Sequence, residues 1–195
     1  MPKLIVGLGN PGSNYSKTRH NVGWMALEKF AQVKNIYWRD KFKGSYAEFA
    51  LRGDKIFLLK PKTFMNLSGE SVVDLAQFYK IATQDILVLH DELDIPFGTL
   101  ALKNGGGAAG HNGLKSIIEK TGTPDFKRLR IGIGRPIHPN MPPASYVLSN
   151  FDSEEEKLLD DLLSLASEAI NCYINENFEK ASSLFSRKSV VPIVL

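Results

Sequence analysis

The amino-acid sequence predicts an α/β fold built on a mixed, mostly parallel sheet. Three observations predict it: short apolar runs that read as buried strands, helical-period stretches between them, and one hairpin signal. Leu4–Leu8 is the first run, stopped by Gly9-Asn10-Pro11-Gly12. Val22, Met25, Ala26, Phe30 and Val33 then recur at helical spacing. Tyr46–Leu51 and Lys55–Leu59 flank Arg52-Gly53-Asp54, a hairpin that makes the sheet mixed at one side. Pro61 ends the second of these strands. Ser68 is placed to cap a helix running through Val72, Val73, Leu75, Ala76 and Tyr79. Ile86–Leu89 reads as another buried strand and Thr99–Leu102 as a shorter one. Gly105-Gly106-Gly107 precedes a helix at Leu114–Lys120, and Leu129–Ile133 is one more strand. Residues 136–143 carry too many prolines for regular structure. From Ser153 onward, Leu158, Leu159, Leu162, Leu165, Ala166, Ala169, Ile170 and Tyr173 mark a long amphipathic helix, expected over 153–185. Its acidic face reads as solvated surface. With no internal repeat or convincing boundary, 1–195 is expected to be one domain.

Composition narrows the class. A hydrophobic share of 43% and a mean hydropathy of -0.14 support a packed core and argue against disorder. Nothing approaches ~18 consecutive apolar residues, so no membrane span is expected. Leu4–Leu8 is shorter than a signal peptide's apolar core and lacks a cleavage site behind it. Cys172 is the one cysteine and cannot form an internal disulfide, which fits a reducing, cytoplasmic setting. The net charge of +3 hides an asymmetry. Residues 1–150 hold 20 Lys and Arg against 12 Asp and Glu, a net of +8; residues 151–180 hold two against nine, a net of -7. A basic body invites a polyanion, although many soluble domains are this basic without binding one.

Several clusters could carry chemistry. Gly7-Leu8-Gly9-Asn10-Pro11-Gly12 matches a dinucleotide-binding G-x-G-x-x-G after a strand. That fingerprint needs an apolar helix starting within the glycines, whereas residues 13–20 are polar and unpatterned. Asn10 and His20 bracket this loop beyond the first strand, where open α/β sheets bind ligands, and His90-Asp91-Glu92 ends another strand. An imidazole backed by a carboxylate makes a general base. His20 as an ordinary helix-start residue and Asp91 as a turn cap are equally open readings. Thr63–Gly69 offers Phe64, Met65 and Asn66 for contact, or simply core filling and capping. The 105–113 glycine stretch could approach an anion with its N–H groups, but it lacks a P-loop's Gly-Lys-Ser/Thr ending. His20, His90, His111 and His138 show no metal-binding spacing, and no G-x-S-x-G marks a serine nucleophile. Cys172 falls among apolar helix positions. Lys103, Lys127, Arg128, Arg130 and Arg135 form either a phosphate patch or solvated edge charges. On the residues alone, a nicotinamide- or flavin-binding oxidoreductase and a non-catalytic RNA-binding module stay open beside a hydrolase.

Taken together, the motifs resemble one family. G-L-G-N-P-G and R-H-N within Lys3–Asn21, T-F-M-N-L-S-G at Thr63–Gly69 and H-D-E-L-D at His90–Asp94 resemble the bacterial peptidyl-tRNA hydrolases. So do G-H-N-G at Gly110–Gly113 and R-L-R-I-G-I-G at Arg128–Gly134. Five blocks in family order are a specific signal. The resemblance implies an α/β/α three-layer fold and a monomeric enzyme, without metal or cofactor. Such an enzyme splits the ester between a peptide and the 3′ ribose of tRNA. It implies His20 as the general base on water, Asp91 as its orienting partner and Asn10 as a reader of blocked substrates. Tyr15, Phe64, Asn66 and Asn112 would contact the substrate, and Lys103 with Arg130 would meet tRNA phosphate. The chain departs from the family at Ala109, where glycine is usual.

Overall fold

A computed structural model describes residues 1–194. The strands are β1 (Lys3–Gly7), β2 (Arg39–Lys41), β3 (Gly44–Leu51), β4 (Asp54–Pro61), β5 (Ile86–Glu92), β6 (Leu100–Asn104) and β7 (Lys127–Gly132). They form one sheet in the order β2-β3-β4-β1-β5-β7-β6. Its centre, β4-β1-β5-β7, is parallel, and antiparallel pairs close both sides. The hairpin lies at one side, as expected from Arg52-Gly53-Asp54. The second antiparallel pair, β6 with β7, carried no turn signal in the sequence because a helix separates the two strands.

Among the described residues there are six α-helices: α1 (Val22–Val33), α2 (Ser68–Phe78), α3 (Asn112–Thr121), α4 (Pro143–Val147), α5 (Ser153–Asn175) and α6 (Phe178–Phe185). Side chains alternate across each strand, so the central strands feed two cores. Ile5, Leu58, Leu87, Leu89, Leu129 and Ile131 face α1, α5 and α6. Leu4, Val6, Phe57, Leu59, Ile86 and Val88 face α2 and α3. This double burial is why the strands read as unbroken apolar runs. It produces the expected three layers.

Gly7 and Gly23 explain the glycine-rich start. A Cβ on Gly7 would stand 2.5 Å from the Gly23 carbonyl oxygen, and one on Gly23 would stand 2.4 Å from that of Leu89. The pattern lets α1 dock on the carboxyl ends of β1 and β5. It is helix-on-sheet packing, and α1 starts after a 3-10 turn at Arg19–Asn21 rather than within the glycines.

Two helix expectations change. The 153–185 helix is two helices, because Glu176 leaves helical geometry and Asn177 caps α6 by accepting from the Lys180 N–H. Ser68 is the first residue of α2 and does not cap it; its hydroxyl donates to the Met65 carbonyl at 2.8 Å. The sheet edges are guarded differently. β2 is three exposed, charged residues, while residues 187–190 run along β6, with Leu100 N–H donating to the Lys188 carbonyl at 2.9 Å.

Candidate active site

β1 lies between β4 on one side and β5 on the other, and the chain crosses over β1 from β4 to β5, leaving a crevice at the strands' carboxyl ends. Asp91, near the end of β5, shares the strand face of Leu87 and Leu89 and so points toward the Arg19–Asn21 turn. His20 meets it there: its Nδ1 lies 2.8 Å from Asp91 Oδ2 and 3.0 Å from Oδ1. His111 arrives from the start of α3, with Nε2 at 2.8 Å from Asp91 Oδ1. The His20 and His111 rings are 4.9 Å apart, and Asp91 is buried beneath them.

The protons in this cluster are set by the backbone. His111 is the N-cap of α3, and its Nδ1 accepts from the Gly113 and Leu114 N–H groups at 3.1 and 3.3 Å. A nitrogen that accepts carries no proton, so Nε2 holds it and donates to Asp91. His20 likewise donates from Nδ1 to Asp91, which leaves the Nε2 lone pair for the cavity. Burial alone would lower the His20 pKa, but the Asp91 charge and hydrogen bond outweigh it and hold the imidazole above its ordinary value. Burial works against the Asp91 carboxylate too, yet the two imidazoles hold its pKa well below the usual carboxylate range. His90 lies on the other face of β5, with its ring edge-on to that of His111 at 5.2 Å. Its Nδ1 donates to the Asp91 carbonyl at 2.8 Å, and burial, reinforced by His111, pushes its pKa down to about 3.

His20, Asp91 and His111 also lie close enough to hold a metal ion. An ion there would need the lone pair of His111 Nε2, forcing its proton onto Nδ1 and costing α3 its cap. The hydrogen bonds fit a proton-handling cluster better than a metal centre. His138, the remaining histidine considered as a ligand, is exposed and lines a separate cleft.

A cavity of about 580 Å³ opens over the cluster. Its lining includes polar Asn10, His20, Asn66, His111 and Asn112, charged Glu92, Asp94 and Arg135, and apolar Leu93, Pro143, Ala144, Val147 and Leu148. Asn10 Oδ1 accepts from the Met65 N–H at 2.7 Å, which turns its Nδ2 donors toward the open space. Phe64 lines the rim and is 55% exposed, with Tyr15 edge-on at 6.4 Å. Ala109 also lines the cavity and holds φ at 48°, a left-handed conformation that accounts for the glycine expected there.

Six of the candidate residues thus converge on one cavity: Asn10, His20, Phe64, Asn66, Asp91 and Asn112. Lys103 and Arg130 do not line it. They lie on β6 and β7, where Lys103 is exposed and folds over Gly106, and Arg130 pairs with Glu92 at 3.8 Å. The basic cluster around them is dispersed. Arg128 is buried and donates to the carbonyls of Gly106 and Gly107, and Arg135 pairs with Asp94. The glycine loop therefore turns carbonyls at 106 and 107 toward a buried cation, not N–H groups toward an anion.

Sequence reasoning missed three contributors. His111 was visible only as a possible ligand, although a residue just before a helix start can signal a cap. The apolar wall at 143–148 has no motif. Arg19 anchors that wall: it donates to the Asn150 carbonyl and to Glu155, each at 2.6 Å, and lies over the Tyr146 ring. Glu155 is thereby drawn inward from the acidic face of α5.

Comparison with known proteins gives the chain's family and fold. The family model described as peptidyl-tRNA hydrolase matches residues 4–192. A peptidyl-tRNA hydrolase of Desulfitobacterium hafniense is 48% identical over 185 residues, covering 95% of this chain and 100% of that protein. One from a Geobacter species is 46% identical over 187 residues, covering 95% and 98%. The crystal structure of peptidyl-tRNA hydrolase from Acinetobacter baumannii superimposes with a TM-score of 0.89 at 39% identity, covering 97% of this chain and 96% of that one. An Arabidopsis thaliana 5′-methylthioadenosine nucleosidase shares the fold alone, with a TM-score of 0.52 at 8% identity over 91% and 98% of the two chains.

Proposed function

The chain belongs to the peptidyl-tRNA hydrolase family, and from that premise we propose how its cavity performs the family's reaction. It hydrolyses peptidyl-tRNA at the ester between the peptide and the 3′ ribose, releasing peptide and free tRNA. The observation that carries the mechanism is the His20 Nδ1 bond to Asp91, which commits Nε2 to the cavity. Nε2 takes a proton from a water as its oxygen attacks the ester carbonyl carbon. The carbonyl π electrons move onto oxygen, and an amide donor of Asn66 or Asn112 stabilises that charge. Asp91 stabilises the imidazolium meanwhile. When the intermediate collapses, the C–O bond to the ribose breaks and its oxygen takes the proton from His20. The products are a carboxylic acid and a 3′ hydroxyl, so the balance closes without another reactant.

Asn10 reads the blocked amino group of the substrate. Phe64 and Tyr15 offer faces for the splayed 3′ end, since unpaired bases stack on aromatic rings. Lys103 and Arg130 meet phosphates further along the tRNA. All these groups come from one chain, so a monomer suffices, and a substrate made by ribosomes places the work in the cytoplasm. Release of free tRNA from peptidyl-tRNA is the direct assay. His20→Ala should leave the fold intact and lower kcat by roughly 10²–10⁴-fold. A folded variant with near-normal turnover would overturn the role of His20. Activity should also survive a chelator; loss restored by added Zn²⁺ would move the cluster into the metal class.

A further inference from the structure

Asn21 is fully inside the protein, and its side chain does something unusual for its position. It is the N-cap of α1, where an asparagine normally accepts from an N–H of the helix's first turn, yet it makes no such bond. The Leu8 carbonyl takes the Trp24 N–H at 3.1 Å instead. The Asn21 amide reaches across to Asn10. Its Oδ1 accepts the Asn10 N–H at 2.9 Å, and its Nδ2 donates to the Asn10 carbonyl at 3.0 Å. Pinning both backbone groups of one residue takes a donor and an acceptor side by side, which only a carboxamide supplies. With the Met65 N–H on Oδ1, Asn10 is held at three points, and its Nδ2 faces the cavity as a pure donor.

We infer that Asn21 is a positioning residue for substrate selection: through Asn10 it sets the enzyme's preference for a blocked over a free amino group. A donor held in place suits the carbonyl oxygen of an N-acyl group. A free α-ammonium carries only donors and meets like polarity. Loosening Asn10 blurs that contrast even though Asn21 never touches the substrate. The inference rests on the reading of Asn10 given above.

The measurement is the ratio of kcat/KM for an N-acetylated aminoacyl-tRNA to that for the same aminoacyl-tRNA with a free amino group. Because both come from one preparation, the ratio is independent of how much of a variant is folded. Asn21→Asp keeps the acceptor and replaces the donor with an oxygen; Asn21→Ser is a smaller second variant. Each should lower the ratio about tenfold, a change of ~1.4 kcal/mol, through KM of the acetylated substrate. The pH profile of kcat should keep its acid limb, since His20 and Asp91 are untouched. Asn10→Ala should lower the ratio at least as far, and adding Asn21→Asp to it should do nothing more. If Asn10→Ala lowers the ratio while both Asn21 variants preserve it, Asn21 is only a structural tie and the inference fails. If Asn10→Ala itself preserves the ratio, the reading of Asn10 fails and takes the inference with it.

Discussion

Asp91 accepts from two imidazoles, and the second partner decides what an amide in its place would do. His111 is obliged to donate from Nε2 because its Nδ1 caps α3. In Asp91→Asn the amide oxygen must therefore face His111, which leaves the amide nitrogen donating to His20 Nδ1. That bond selects the wrong His20 tautomer, with the proton on Nε2 where the base should be. We expect kcat to fall on the order of 10²–10⁴-fold with little loss of substrate binding, as steady-state kinetics would show. A loss below tenfold would mean that Asp91 does not set the tautomer. The wild-type acid limb follows from the same pair. The His20 pKa is raised, so kcat/KM of the free enzyme should decline as pH falls through a value above the ordinary ~6.5. The stability signs are opposite for the two partners. Protonated His20 gives its full contribution below ~6.5 and loses it as pH rises through its raised pKa, whereas Asp91 contributes above ~3.9 and loses it in acid. The stability gap between wild type and Asp91→Asn should thus be widest between those values. Denaturant melts across pH would show whether it peaks there.

Among the elements, α3 couples stability to chemistry through its first residues. His111→Ala removes both the cap and a hydrogen bond to Asp91. His111→Asn restores a good cap but is too short to reach Asp91. The two variants should differ by ~1 kcal/mol in unfolding free energy while sharing a similar loss of turnover. Equal stabilities would show that the imidazole does not cap the helix. The same element shows how local signals are read. The helix itself was legible, from the apolar residues after Gly113, but the capping use of an imidazole was not, because histidine is not a usual cap. The α5–α6 break was likewise hidden: apolar spacing continues through 176–177, and only the turn of the backbone at Glu176 ends the first helix.

Over the whole molecule, charge is sorted by depth as well as by sequence. The basic body suggested a cluster of five cations, yet Lys127 donates to the Gln84 carbonyl, Arg128 is buried on two carbonyls, and Arg130 and Arg135 each have an acidic partner. Lys103 is left as the exposed cation nearest the glycine loop. Lys103→Ala should weaken tRNA binding without preference for sequence and reduce the slope of log affinity against log salt by about one or somewhat less. Arg130→Ala should change the slope less, because Glu92 already offsets its charge. Parallel salt plots for wild type and Lys103→Ala would remove Lys103 from the tRNA surface.

By itself the sequence determined the α/β class, the positions of most strands and helices, and five motif blocks that name the family. Those properties are carried by short-range periodicity and by residues close together in the chain. It also put Asn10, His20, Asn66, Asp91 and Asn112 on the candidate roster, with ordinary structural readings open for His20, Asn66 and Asp91 until their neighbours were known. Only the tertiary structure decided which of them meet and which protons they hold. His20 and Asp91 are 71 residues apart, Asn10 and Met65 55, and Arg19 and Glu155 136. Such pairings depend on the sheet order and on where α1 and α3 dock. Tautomers and amide orientations follow from those contacts, because a side chain's donor or acceptor role is set by the group it faces in space.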